Sequence, residues 1–233
     1  MNRKLRSEIL RVCDVAIKRH CWGARISNSS KGNMPRFLIT DYRALGVITG
    51  IVRYHVHRGK IQEQIFYRGQ REEWTLKSSL YRGCETKERM VLAEEWRTNV
   101  LKIVKEQRFD FEGTDDEREA MAQHYGLATS FIDVVDHIQT ALWFAYDKMS
   151  DENSVGYIYI LSVPKDKAVV IDLRDKPSQW LRPHTQQAFC FRMNQAKELG
   201  KRIRENLRTV PYHDACDSER FIEIMEQLRC CET

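Results

Sequence analysis

A short apolar stretch of the chain, residues 64–68, ends in the dipeptide Arg68-Gly69 and has the aromatic and β-branched residues of a strand. Other strand and helix patterns occur along the chain in an irregular order. A parallel, doubly wound sheet requires strands and helices that alternate regularly. The sequence therefore predicts an α+β fold.

Helices are predicted where apolar residues recur at helical spacing or where a capping residue precedes such a pattern. The first helix has a single apolar face, formed by Leu5, Ile9, Val12, Cys13 and Ala16. Asp41 caps a second helix, which carries Leu45, Ile48 and Val52. The other predicted helices are residues 85–107, a segment that begins at Thr114 and ends at Gly126, and residues 137–147, 195–207 and 218–230.

The remaining strands are predicted from runs of β-branched and aromatic residues. They are residues 129–132, 155–163, 168–172 and 186–193. Residues 22–33 are rich in Gly, Ser and Asn, which predicts a loop.

Length and hydrophobic content favour a single domain, because 233 residues that are 42% hydrophobic can bury one sizeable core. We divide it into an N-terminal helical extension (1–60), a core (61–193) and C-terminal helices (194–233). No apolar run reaches the length of about 18 residues that a membrane span requires, so we expect no membrane partner. Seven cysteines without a paired spacing indicate reduced thiols and a cytoplasmic protein.

The charge distribution does not by itself predict a nucleic-acid partner. The net charge of +5 arises from 38 basic and 33 acidic residues. The basic segment 197–208 is interrupted by Glu198 and Glu205, which favours a solvated helix face over an RNA contact. His213 and Cys216 have the local spacing of metal ligands, but no second pair follows, so no metal is expected.

Arg68 has two interpretations of equal weight. A guanidinium at the end of a strand can bind a phosphate or carboxylate bidentately, and Gly69 beside it permits a close approach. Alternatively, Arg68 is buried and pairs with an acid such as Asp133.

The segment His124-Tyr125-Gly126 stands where a helix should end. Glycine favours the left-handed conformation of a helix cap, and a histidine near the C-terminus is favoured by the helix dipole. The alternative is that His124 or Tyr125 lines a pocket and contacts a ligand.

Ser130, His124 and Asp133 are the residue types of a catalytic triad, but that interpretation is rejected. Ser130 lacks the strand–turn–helix elbow of a G-x-S-x-G nucleophile, and triads are not recognised by closeness in sequence. Cys190 has the character of a small buried hydrophobe more than of a nucleophile.

Together these motifs resemble the FRG domain, a family named for its Phe-Arg-Gly motif. The resemblance covers about residues 61–193. It rests on Tyr67-Arg68-Gly69-Gln70, Trp74, Leu76, Leu80, Gln123-His124-Tyr125-Gly126, Asp133, Ala141-Leu142, Phe144-Ala145, the strand at 156–161 and Gln187. Two departures from the family pattern Pro-Thr-Arg-Leu-Leu-Asp-Trp matter: this chain has Ser130 in place of the arginine and Val134 in place of the tryptophan.

The order of elements also resembles the ADP-ribosyltransferase superfamily, which implies a mixed or antiparallel split sheet and NAD as cofactor. By this resemblance the catalytic residues are Arg68, His124 and Gln187. The residues implied to bind the cofactor are Tyr67, Arg68, Gly69, Tyr125, Thr129, Ser130 and Asp133. Gln187 stands where a catalytic glutamate is expected, and a glutamine can hydrogen-bond a ribose hydroxyl but cannot supply a charge to an oxocarbenium-like transition state.

The resemblances imply an effector with a cleft for NAD or a related nucleotide. It would be an NAD-dependent transferase or glycohydrolase, with a protein or nucleic-acid target, in a toxin or an antiviral defence protein. Two other functions stay open. One is a non-catalytic binding module in which Arg68, His124 and Asp133 form a buried polar network, and the other is an RNA-directed effector that uses residues 197–208.

Overall fold

The computed structural model describes residues 3–20, 23–27, 36–58, 63–106, 113–147, 155–176 and 185–193. The chain divides into two compact units: residues 1–65 with 160–164, and residues 66–159 with 165–233. The prediction of a single domain stays a prediction. The predicted helices at 195–207 and 218–230 lie outside the described residues, as does the basic segment.

The first unit contains α1 (Arg3–His20), β1 (Ala24–Ser27), β2 (Arg36–Ile39) and α2 (Tyr42–Arg58). Its core forms where Ile9, Cys13 and Ile17 of α1 pack against Ala44 and Ile48 of α2. The apolar face predicted for the first helix is therefore confirmed at Ile9 and Cys13. Asp41 accepts a hydrogen bond from the backbone N–H of Arg43 at 2.9 Å, as expected of a residue that caps α2.

Strand β1 corrects the loop prediction for part of residues 22–33. Its four residues pair antiparallel with β2, with Ala24 opposite Ile39 and Ser27 opposite Arg36. The strand is short and lies beside Gly and Asn residues, so the local composition predicted a loop. The backbone hydrogen bonds that define it come from β2, which follows β1 in the sequence and was itself not predicted.

The second unit is built on a five-stranded antiparallel sheet in the order β5-β3-β4-β7-β6. The strands are β3 (Glu63–Gln70), β4 (Ile132–Val135), β5 (Tyr157–Pro164), β6 (Ala168–Asp172) and β7 (Ala188–Met193), and β3 and β5 contribute residues to both units. The α+β prediction is confirmed. Strand β6 has the predicted bounds. The observed ends of β3, β5 and β7 lie within two residues of the predicted ends.

Three helices belong to the second unit: α3 (Lys87–Glu106), α4 (Asp115–His124) and α5 (Ile138–Tyr146). The main core lies between α4 and the sheet and consists of Ala120, Met121, Phe131, Leu173, Ala188 and Cys190. A second cluster, Val100, Val104, Ala122 and Leu127, joins α3 to α4. None of the helices among the described residues has the length and apolar character needed to cross a bilayer.

Strand β4 begins three residues later than predicted, at Ile132 rather than Thr129. The backbone N–H of Thr129 donates to the Ser79 hydroxyl at 3.1 Å, and that of Ser130 donates to the Glu119 carboxylate at 2.7 Å. Side chains therefore take the hydrogen bonds that a strand ladder would use. Such long-range partners are not visible in the local β-branched pattern.

Helix α5 packs very closely on β3, and small residues make this possible. A Cβ atom added to Gly69 would overlap the carbonyl oxygen of Ala141 and lie 2.8 Å from the amide nitrogen of Ala145. On the other side, a Cβ added to Gly156 would lie 3.0 Å from the Cβ of Ala145. Ala141 and Ala145 are both fully buried. The close approach that Gly69 permits is thus that of a helix backbone.

Thr114 begins α4 with a reciprocal capping box. Its hydroxyl accepts from the backbone N–H of Glu117 at 3.2 Å, and the Glu117 carboxylate accepts from the backbone N–H of Thr114 at 2.7 Å. We expect Thr114→Ala to lower the free energy of unfolding by about 1 kcal/mol, because the backbone N–H of Glu117 in the first turn loses the hydroxyl that accepts from it. Urea unfolding followed by circular dichroism measures this.

The matched control is Thr98→Ala. Thr98 is an exposed threonine within α3, and its hydroxyl donates to the carbonyl of Glu94 at 2.9 Å. Alanine has the higher helix propensity, so stability should be unchanged or slightly raised. Equal losses in the two variants would contradict the capping argument.

Candidate functional site

Arg68 lies half-buried in β3, and its guanidinium is directed at the backbone of β4. Nη1 donates to the main-chain carbonyl oxygen of Asp133 at 2.6 Å. Burial lowers the pKa of Arg68, the negative charge of Asp133 opposes that shift, and the positive charge of Arg82 adds to it. Arg82 itself is exposed.

The carboxylate of Asp133 belongs to a second group of side chains. Asp133 on β4 is the register partner of Cys190 on β7, so their side chains are neighbours on one face of the sheet. Oδ1 of Asp133 lies 3.3 Å from Sγ of Cys190 and 3.5 Å from Nε2 of His124. Nε2 of His124 lies 3.7 Å from Sγ of Cys190. These three side chains form one compact cluster, which we call the His–Asp–Cys cluster.

His124 is oriented by contacts at both ends of its ring. It is the last residue of α4, which Gly126 ends with a left-handed φ of 93°. Nδ1 lies 3.1 Å from Oε1 of Gln186, an oxygen that can only accept. Nδ1 therefore bears the proton, and Nε2 presents its lone pair to Asp133 and Cys190 when the ring is neutral. The helix end predicted at Gly126 is confirmed, and a ligand contact of His124 or Tyr125 stays a prediction.

Cys190 is fully buried, and its chemistry follows from that. Burial raises the pKa of the thiol well above its ordinary value, and the carboxylate of Asp133 raises it further. The protonated thiol donates to Asp133. A buried, protonated thiol is a poor nucleophile, in agreement with the interpretation of Cys190 as a small buried residue.

A polar and aromatic surface lies next to Arg68. The Trp74 carbonyl accepts from the Tyr159 hydroxyl at 3.0 Å and from the Gln70 side-chain amide at 3.3 Å. Trp74 is 42% exposed, so part of its apolar ring is available to solvent.

Comparison with known families gives one match within the second unit and the strand that leads into it. Residues 63–154 match the FRG domain. This match supports the FRG family for that part of the chain and includes Arg68, His124 and Asp133. No curated protein and no solved structure matches the chain. The likeness to ADP-ribosyltransferases is therefore carried by the sequence resemblance alone.

Thr129 and Ser130 of the FRG segment lie in the interior, at 1% and 3% exposure. The Thr129 hydroxyl donates to the side-chain oxygen of Gln123. The Ser130 hydroxyl accepts from Nη1 of Arg192 at 3.0 Å. Both hydroxyls thus have protein partners, and the structure does not bring them together with Arg68.

The other predicted residues of the FRG site are spread over different environments. Tyr67 is almost fully buried, and Tyr125 packs against the main core. Gln187 is exposed and has a φ of 48°, an uncommon conformation for a residue other than glycine. Of the residues predicted from the sequence, the structure groups Arg68, His124 and Asp133. Their role in binding or catalysis stays a prediction.

An ion network that the sequence did not predict lies behind the FRG motifs. The Glu119 carboxylate, 1% exposed, accepts from Nε of Arg97 at 2.7 Å and from Nη1 of Arg192 at 3.3 Å. Nη2 of Arg192 also reaches Asp116 at 2.6 Å. Arg192 lies over the ring of Phe131 at 4.6 Å. Because Glu119 also accepts from the backbone of Ser130, the network fixes α3, α4 and β7 to the segment before β4.

Proposed function

We propose that the FRG segment binds a nucleotide, NAD or a relative of it, with Arg68 as the phosphate-binding group. The observations that carry this proposal are that the guanidinium of Arg68 is only half-buried and that the positive charge of the exposed Arg82 lowers its pKa. One N–H of Arg68 is held by the Asp133 carbonyl, and a guanidinium has five N–H donors in all. An anion that enters between the two arginines would relieve their repulsion and gain charge-assisted hydrogen bonds.

The exposed ring of Trp74 supports a nucleotide over a simple anion. Aromatic side chains stack on nucleobases, and this contact does not require a particular base. The Trp74 backbone is fixed by Tyr159 and Gln70, so the ring is presented from an ordered segment. Arg68, Arg82 and Trp74 thus offer both the charge and the flat apolar surface that a nucleotide requires.

An enzymatic extension of this proposal is ADP-ribosyl transfer or NAD hydrolysis by a toxin or defence protein. His124 and Gln187 would then act beside Arg68. The exposed amide of Gln187 can hydrogen-bond a ribose hydroxyl, and its lack of charge favours binding over fast transfer. Loss of free NAD on incubation with the protein measures this activity directly.

The second candidate is a non-catalytic FRG binding module, favoured by a specific contact. The hydrogen bond from Arg68 to the Asp133 carbonyl joins β3 to β4, and the His–Asp–Cys cluster joins β4 to α4 and β7. In such a module, Arg68 serves the fold and the polar residues of the motif have a structural role. An RNA-directed effector would rest on residues 197–208, which lie outside the described residues.

Arg68→Ala separates the two candidates. If Arg68 binds a phosphate, we expect calorimetric titration with NAD or ADP-ribose to show affinity weakened by about 1.5–3 kcal/mol, the range of a charge-assisted hydrogen bond. Stability should change little by comparison. If Arg68 is structural, removing it takes a hydrogen bond from the Asp133 carbonyl and lowers the free energy of unfolding by about 1–3 kcal/mol.

The control is Arg71→Ala, which removes an exposed arginine just beyond the same strand. It should leave both affinity and stability near those of the original chain. A less stable Arg68→Ala protein with unchanged affinity for NAD would refute the nucleotide proposal. A chain that is well folded yet does not bind NAD or ADP-ribose would refute it as well.

A further inference from the structure

We propose that His124, Asp133 and Cys190 bind a divalent transition-metal ion, and Zn²⁺ above all. Each residue offers one ligand atom, and the three atoms all lie within 4.8 Å of one another. Imidazole nitrogen, thiolate sulfur and carboxylate oxygen are the three ligand types that Zn²⁺ accepts in proteins. The site does not use Arg68, the phosphate-binding group of the nucleotide proposal, but it shares His124 with the enzymatic extension of that proposal.

The dimensions of the cluster fit a tetrahedral zinc site. Usual zinc bond lengths at tetrahedral angles place a ligand nitrogen and oxygen about 3.4 Å apart, and sulfur about 3.6 Å from either. The observed separations are 3.5 Å for nitrogen to oxygen, 3.7 Å for nitrogen to sulfur and 3.3 Å for oxygen to sulfur. The three atoms therefore already form one face of such a tetrahedron.

Gln186 provides a second, independent observation that points to a metal. Histidine ligands of metals usually donate their other ring N–H to an oxygen, which fixes the tautomer and the ring orientation. Nδ1 of His124 lies 3.1 Å from Oε1 of Gln186, so the Nε2 lone pair is directed at the centre of the cluster. Two of the ligands, His124 and Cys190, are held in the interior and have little freedom to lose on binding.

The charges and the exposure of the ligands indicate how the ion would be neutralised and where its fourth ligand would lie. Coordination releases the thiol proton to solvent, and the thiolate and the Asp133 carboxylate then balance the two charges of the ion. The charge of Arg68 opposes the ion, but its hydrogen bond is to the Asp133 backbone rather than to the ligand oxygen. The Asp133 side chain is 41% exposed, so the fourth position is on the open side and would hold water.

The test is a titration of the full chain with Co²⁺ under reducing conditions, after treatment with a chelator. Tetrahedral Co²⁺ with a thiolate ligand gives a sulfur-to-metal charge-transfer band and visible ligand-field bands. We expect both bands at one equivalent, and we expect Zn²⁺ to displace Co²⁺ and raise the unfolding midpoint. Cys190→Ser should abolish the charge-transfer band, and Gln186→Ala should keep it but weaken affinity about tenfold to a hundredfold.

Two controls test five of the six other cysteines, and the sixth, Cys13, is buried in the first unit. Cys84→Ser removes a partly exposed thiol of the same unit and should keep the band. A chain with serine at Cys21, Cys216, Cys230 and Cys231 should keep it too. Absence of the band in the original chain, its survival in Cys190→Ser or its loss in either control would overturn the proposal. If Cys190→Ser does not fold, Asp133→Asn decides, and a folded variant with unchanged Co²⁺ affinity would also overturn it.

Discussion

Glu119→Gln should lower the free energy of unfolding of the second unit by about 3–5 kcal/mol, the range for breaking a buried ion pair from one side. The carboxylate of Glu119 accepts from Arg97 and Arg192 with one oxygen and from the backbone N–H of Ser130 with the other. All its neighbours are donors. A glutamine amide must direct its own N–H groups at one of them. Each guanidinium then loses one buried counter-charge and keeps its contact with Asp116.

Urea unfolding followed by tryptophan fluorescence measures this loss, because Trp96 lies in α3 beside Arg97 and its indole donates to Ala128 at 3.2 Å. Lys105→Ala is the matched control. It breaks a pair with Asp115 in which both side chains are 49% exposed, and exposed pairs contribute about 0–1 kcal/mol. Similar midpoints for Glu119→Gln and Lys105→Ala would show that the network adds little to stability.

Gly69→Ala should have the second largest effect and lower the free energy of unfolding by about 3 kcal/mol. This is the upper end of the usual range for overpacking. A Cβ at this position overlaps the carbonyl oxygen of Ala141 and comes within 2.8 Å of the Ala145 amide nitrogen. Both are backbone atoms of α5, so no rotamer change can relieve the contact. Either the helix moves away from β3 or the strand bends.

Gly46→Ala is the matched control of opposite sign. Gly46 lies exposed within α2, and a Cβ there would have no atom within 4 Å beyond the local helix backbone. Alanine should stabilise this helix by about 0.5–1 kcal/mol, because glycine loses more conformational entropy on folding. A Gly69→Ala protein as stable as the original chain would contradict the described packing of α5. Differential scanning calorimetry compares the variants directly.

Much of the secondary structure was predicted correctly from the spacing and types of neighbouring residues. The wrong predictions share one cause. Residues 168–172 form β6 as predicted, Gly126 ends α4 in a left-handed conformation, and Ile9 and Cys13 of α1 are buried. The errors at β1, β2 and the start of β4 occurred where distant partners decide the conformation. Thr129 has strand character, but its backbone is bound by Ser79, which precedes it by 50 residues.

The candidate site was predictable in its members but not in their contacts. Arg68, His124 and Asp133 were singled out by motif, and the structure brings them close together. Cys190 completes the His–Asp–Cys cluster from β7, and Gln186, in the turn before β7, contacts His124. They lie more than fifty residues away from Asp133, and no ligand spacing in the sequence connects them. In the sequence, Glu119 has the pattern of an ordinary acidic residue on a helix surface. Only the structure shows that Arg97 and Arg192 donate to it in the interior.

The order of strands in the sheet shows that the FRG match covers only part of the sheet. The match ends at residue 154, before β5, β6 and β7 begin, so it supplies only the neighbouring strands β3 and β4. If the chain were cut at residues 63 and 154, the edge of β4 that pairs with β7 would be unpaired. The two strands that remain would have little stability of their own. The cut would also remove Arg192 from Glu119. The limits of recognisable similarity are thus narrower than the piece of chain that must fold together.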